Sequence, residues 1–119
     1  MNNKILGDKG EKAAAAYLKN HGYIIRDTNY RTKTGEIDII AARGDMLVFV
    51  EVKTRGSYAF GLPSEAVNLQ KQKKIIKTAQ AYIQAERLYN YVYRFDVLEV
   101  LAPKSGGMSF NLIESAFEG

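Results

Sequence analysis

Between Glu36 and Thr54 the chain carries two apolar runs separated by Gly44-Asp45, and this pair of segments constrains the fold more than any other feature. Ile37, Ile39 and Ile40 lie on one side of the break, Val48, Phe49, Val50 and Val52 on the other. Gly-Asp between two β-prone runs is a hairpin signal with a two-residue loop. That loop length pairs Arg43 with Met46 and sets Asp38 directly opposite Glu51. Opposed side chains have Cβ atoms about 5 Å apart, and like charges there are destabilising. The neighbours are apolar, so both strands read as buried on both faces. Two unpaired carboxylates in such a place are costly. A divalent cation between them removes that cost, and hard carboxylate oxygens suit Mg²⁺ or Mn²⁺. A three-residue loop would instead send the two side chains to opposite faces.

Strand alternation adds Lys53 to the Glu51 face. A lysine there can hold a phosphate oxygen or a water, or stabilise charge that develops during phosphoryl transfer. The plain alternative is a salt-bridged sheet in which Lys53 neutralises Glu51 and Glu36. Glu11 shares a helical stripe with Gly7, Ala14, Ala15 and Leu18, which points it toward the sheet. It reads either as a further ligand, directly or through a water, or as a half-exposed glutamate favoured by the helix dipole.

The rest of the chain supplies the frame. A first helix is expected over about 5–21, with Ala13 to Ala16 as strong helix formers and His21-Gly22 as its C-terminal cap. Strands follow at about 23–31, 36–43 and 46–54. After a loop over 55–63, Ser64 is expected to cap a long helix reaching Arg87, with Leu69, Ile75, Ile76, Ala79, Tyr82 and Ile83 as its apolar stripe. A fourth strand is expected over 91–101 and a short edge strand over 108–113. The order is α-β-β-β-α-β-(β), an α/β fold with a mixed central sheet flanked by helices. Residues 1–119 fit one domain.

Composition excludes several classes. There is no cysteine, which rules out disulfides, thiolate nucleophiles, cysteine-ligated zinc and iron–sulfur clusters. One histidine, His21, leaves no histidine-rich metal site and reads as a helix-end residue. No apolar run approaches the roughly 20 residues of a membrane span, and the polar N-terminus lacks a signal core, so the expected location is cytoplasmic, with no membrane partner. Lys and Arg number 17 against 13 Asp and Glu, a net charge of +4 that matters only where it clusters.

The residues also resemble a known group. Gly35-Glu36-Ile37-Asp38 followed by Val50-Glu51-Val52-Lys53 resembles the Asp and Glu-x-Lys signature of the restriction-endonuclease-like (PD-(D/E)xK) nuclease superfamily. More closely, the chain resembles the bacterial YraN-like family within it. The carrying segments are Gly7-x-x-Gly10-Glu11-x-x-Ala14, Asn29-Tyr30-Arg31, Gly61-x-Pro63 with Glu65-Ala66-Val67, and Arg94-Phe95-Asp96-Val97. The layout is also similar to archaeal Holliday-junction resolvases. The resemblance implies an αβββαβ core. It implies Mg²⁺ held by Asp38, Glu51 and the backbone carbonyl of Val52, with Lys53 positioning or activating water. It also matches Glu11 to the helical glutamate of the resolvases.

A basic strip on the second helix, Lys71, Lys74 and Lys77 with Lys73 beside it, together with Arg31, Arg55, Lys33 and Arg43, could track a phosphate backbone. The bland alternative is a solvated helix face. Gln72 is a minor candidate near the metal, or simply a glutamine at the stripe edge. Tyr89, Tyr91 and Tyr93 alternate as a strand would, and Arg94 is expected to pair with Asp96. The reading is a metal-dependent endonuclease acting on DNA, with branched or structured DNA as substrate. Its partners would be nucleic acid, a second copy for a two-strand cut, or a larger DNA-processing machine. The rival is a non-catalytic nucleic-acid-binding module or adaptor on the same fold.

Overall fold

The structure is a computed structural model and describes residues 3–56 and 67–119. Helix α1 spans Asn3–Asn20 and is followed by β1 (Ile24–Arg31), β2 (Glu36–Arg43) and β3 (Met46–Arg55). Helix α2 (Leu69–Glu86) leads to β4 (Val92–Leu101) and β5 (Ser109–Phe117). The five strands form one sheet in the order β1-β2-β3-β4-β5. Only β3 and β4 run parallel. A parallel pair needs a crossover connection, and α2 lies on it.

Each helix covers one face. Ala14 and Leu18 of α1 pack on Ile39, Val48, Val50 and Leu98. Ile75, Ala79 and Tyr82 of α2 pack on Ile40, Leu47, Phe49 and Phe95. This is the expected mixed sheet between helices. The α1 end is also as anticipated: Gly22 has φ 89°, the left-handed conformation a glycine cap adopts.

Three local expectations are corrected. The long helix starts later than the sequence suggested: its cap is Asn68, whose side chain accepts from the Lys71 N–H at 2.9 Å. Ser64, like Gly61, Pro63, Glu65 and Ala66, lies outside the described residues. Leu69 is therefore a first-turn residue and 65% exposed, so it does not belong to the buried stripe. Tyr89 and Tyr91 precede β4 rather than alternate along it, while the Tyr93 hydroxyl donates to the Leu88 carbonyl. The edge strand β5 runs four residues further than expected, to Phe117, and stacks that ring on Phe95.

The hairpin register is the expected one, from Arg43↔Met46 through Ile39↔Val50. The recorded pairing stops there, one step short of Asp38 and Glu51. On the other side of β2, Tyr30↔Ile37 and Thr28↔Ile39 pair, but Asn29 and Asp38 between them do not. Asn29 has φ 52°, in the left-handed region. Across this point β2 turns about its own axis. Ile37 packs on the α2 side and Ile39 on the α1 side, although strict alternation would keep them on one face. The sheet is thus opened on both edges of Asp38.

Candidate active site: converging carboxylates at a break in the sheet

The opening is held by a side chain. Asp38 Oδ2 accepts from the Val52 N–H at 2.8 Å, taking a place that a strand carbonyl would fill. The Asp38 carboxyl also lies within hydrogen-bonding reach of Glu51 and of Glu11. Glu51 is 8% exposed, and a second acid beside it at this depth cannot ionise freely. Burial first, then the Glu51 charge, push the Asp38 carboxyl up to about 8, against the lowering effect of the Val52 N–H. Glu11 is raised as well, chiefly by burial, although its bond to Asp38 works the other way.

Close packing brings Glu11 to the sheet. A Cβ on Gly10 would lie 1.8 Å from Thr54 Oγ1 of β3, so only glycine lets α1 approach there. Asn29, with its amide turned so that the nitrogen faces them, donates to Glu11 and to Glu36 at 3.2 Å each. Arg31 holds the other Glu36 oxygen at 3.1 Å.

Two lysines answer the acids. Lys71 Nζ donates to Glu51 Oε1 at 2.9 Å. Lys53 is close enough to feel the Lys71 charge, and it feels both Glu51 and Asp38. Burial, then the neighbouring Lys71 charge, lower the Lys53 ammonium below the usual lysine value. Burial works against the Lys71 charge too, but Glu51 outweighs it and the pKa is raised.

The structure therefore brings Glu11, Asp38, Glu51, Lys53 and the Val52 backbone together. Several others of the expected set have partners that the sequence did not suggest. Lys71 is not part of an open strip but the direct partner of Glu51. Gln72 is occupied elsewhere, its amide donating to the Val67 carbonyl at 2.9 Å. Arg55 is half-buried against Glu99 at 3.4 Å. Arg43 lies at the opposite end of the hairpin, over the Tyr23 ring. Lys74 and Lys77 are exposed as expected. Asn29 was not singled out as a site residue. Its only sequence signal is its place before Tyr30-Arg31, and its role depends on a backbone conformation that no periodicity reveals.

A cleft of about 400 Å³ opens onto Asp38 and Glu51, walled by Gly35, Asn68, Lys71 and Lys74. A second, more open groove of about 520 Å³ runs on past Lys73, Lys74 and Lys77. Gln70 and Lys74 border both. A third groove, about 780 Å³, lies between α2 and the β4–β5 end and touches none of the converging carboxylates.

Hard oxygen donors on Asp38 and Glu51, with Glu11 adjacent, fit a divalent cation by their chemistry. Burial and the neighbouring Glu51 charge, which together raise Asp38, are what such an ion would offset. As the side chains stand, no group of three or more His, Cys, Asp or Glu among the described residues is gathered closely enough to hold a metal ion. Among the same residues no helix is long and apolar enough to cross a membrane.

The fold and site define a mixed five-stranded sheet between two helices, with a buried acid–lysine cluster where the sheet opens. The chain belongs to the uncharacterised protein family UPF0102, whose model matches residues 10–100. A UPF0102 protein of Clostridium botulinum (strain 657 / Type Ba4) is 52% identical over 118 residues, covering 98% of this chain and 96% of that one. A UPF0102 protein of Clostridium acetobutylicum is 50% identical over 117 residues, with the same coverage. The family expected from the sequence is thus the one found. Among solved structures, Pyrococcus furiosus SfsA in complex with Ca²⁺ aligns at a TM-score of 0.38 and 15% identity. That alignment covers 99% of this chain and 66% of that one, a likeness too low to bear on function.

Proposed function

We propose that the protein is a metal-dependent phosphodiesterase acting on nucleic acid, an endonuclease of the restriction-endonuclease-like kind. The observation that carries this reading is the convergence of Glu11, Asp38, Glu51 and Lys53 at a point where the backbone ladders are interrupted on both sides of Asp38. A purely structural sheet gains nothing from opening its ladders to gather three acids. Asp38, Glu51 and the Val52 carbonyl would hold Mg²⁺ or Mn²⁺. A bound ion would supply charge for a phosphate and a more acidic water. Lys53, with its lowered pKa, would orient that water or steady the phosphate. Lys74 and Lys77, with Lys73, line a groove leading away from the carboxylates and supply backbone contacts that read shape rather than bases. Branched or structured DNA is the substrate class this suits.

One observation favours a second reading, a nucleic-acid-binding module without turnover: Glu51 is already bonded to a lysine of its own chain. Cleavage of labelled four-way junctions, flaps, duplexes and single strands, with Mg²⁺, Mn²⁺ or EDTA, separates the two. Metal-dependent cutting that disappears in Asp38→Asn is the expected result. Salt-sensitive binding without cutting, unchanged in that variant, would establish the binding module.

A further inference from the structure

The proposed function does not account for Lys71. It sits in the first turn of α2, held there by the Asn68 cap on its own backbone N–H. Its ammonium reaches Glu51 Oε1 at 2.9 Å, and Glu51 is 8% exposed. Other cations border the same cleft or the groove beyond it, Lys74 and Lys77, and each stays in solvent. Lys71 alone crosses from the helix to the buried carboxylate. Three carboxyls converge, and Lys71 neutralises the most buried one that would ligate a cation.

We infer that Lys71 is the resident counter-ion of this site, and that a divalent cation binds by displacing the Lys71 ammonium from Glu51. The inference rests on the metal reading above and deepens it. It makes metal affinity a competition between an internal lysine and an external ion. In the metal-free protein Lys71 keeps Glu51 from being an unpaired buried charge, which would be destabilising. When the ion takes Glu51, the ammonium is released at the mouth of the cleft, on the same helix as Lys74. It then becomes one more cation facing the groove. The site thereby changes from a closed ion pair to an open cationic rim only when the metal is present.

The test is direct Mn²⁺ binding to the full chain by calorimetry and electron paramagnetic resonance, with no substrate. Four proteins are compared: wild type, Lys71→Met, Lys74→Met and Glu51→Gln. Methionine keeps the apolar stem and removes the charge. Lys71→Met is expected to bind Mn²⁺ about tenfold tighter than wild type, since a competitor worth roughly 1.4 kcal/mol is removed. Lys74→Met removes the same charge from the same cleft without touching Glu51, and is expected to change affinity by less than about threefold on the same scale. Melting in EDTA adds a second readout: Lys71→Met is expected to melt below wild type without metal and to recover with saturating Mn²⁺. Equal affinity in Lys71→Met and wild type, with both lost in Glu51→Gln, would overturn the inference and leave the metal reading intact. Equal tightening by Lys71→Met and Lys74→Met would overturn it in favour of a general field effect. Wild type that binds no Mn²⁺ in the millimolar range, or binds it equally without Glu51, would overturn the metal reading and this inference with it.

Discussion

Two buried clusters of charge lie in the same sheet, and they are built on opposite terms. At one end of β4, Asp96 is fully buried and Arg94 meets it through Nε at 2.9 and 3.0 Å and Nη2 at 2.7 Å. Arg94 Nη2 also donates to the Tyr23 hydroxyl at 2.7 Å, and the Ser115 N–H donates to Asp96 at 3.0 Å. Burial opposes the Arg94 charge, yet its partners hold it well above the usual arginine value. At the other cluster the acids outnumber what the lysines can match, and Asp38 is pushed the wrong way for an isolated carboxylate. Arg94–Asp96 is a satisfied ion pair that fixes β4 to β5 and to β1's approach. The Asp38 cluster stores unfavourable electrostatics, which is what the proposed metal site would require.

The sharpest way to break this contrast is to neutralise one member of each. Arg94→Met leaves Asp96 buried and unpaired, and is expected to lower stability by about 3–5 kcal/mol in urea unfolding. Asp38→Asn should do the opposite. The amide oxygen can still accept from Val52 and its nitrogen can donate to Glu51, so the metal-free protein is expected to gain about 1–2 kcal/mol at neutral pH. The same substitution should lower metal-dependent cleavage by about a thousandfold or more, because it removes a charged donor from the site. If Asp38→Asn destabilises the fold as Arg94→Met does, the two clusters are alike and the contrast is lost.

Next comes the approach of α1. Gly10→Ala must displace Thr54 or the helix, and is expected to cost about 1–3 kcal/mol as an overpacked contact. Melting temperature measures the cost. Because Glu11 moves with the helix, Mn²⁺ affinity should fall as well, whereas Arg94→Met at temperatures where it stays folded should leave that affinity unchanged.

The pH dependence sharpens the same comparison. Asp38 titrates near its ordinary value when unfolded and at about 8 when folded. The folded protein therefore binds more protons between those values, and stability falls as pH rises from about 4 to about 8. Metal-free wild type should show this slope, and Asp38→Asn should have lost most of it. The smallest effect is at the rim: Lys74→Met or Lys77→Met should reduce the salt slope of nucleic-acid binding by about one each, with little effect on melting.

Much of this was legible in advance because it depends on period and loop length. Gly44-Asp45 fixed the register as far as Ile39↔Val50, and alternation placed Lys53 near Glu51, but the direct pairing expected of Asp38 with Glu51 is not made. The Arg94–Asp96 pair followed from the same alternation. What was missed depends on where a helix begins and how far a side chain reaches. Counting α2 from Ser64 made Lys71 one lysine of a surface strip and Leu69 a core residue. The Asn68 cap places both in the first turn, and the long lysine stem then folds inward to a carboxylate on another element. The Arg55 pairing was hidden for a similar reason, since its partner Glu99 comes from β4, far away in sequence. The turn of β2 about Asp38 was not legible at all. It coincides with Asn29 in a left-handed conformation on the neighbouring strand, a tertiary feature with no local pattern.

The Val52 amide has a further use. Its proton rests on the Asp38 carboxylate rather than on a strand carbonyl, so its resonance reports the ionisation of that acid directly. One amide signal, followed through a titration of acid or of metal, would read the electrostatic state of the whole cluster from inside the sheet. Its exchange with solvent would record how often the seam between β2 and β3 opens.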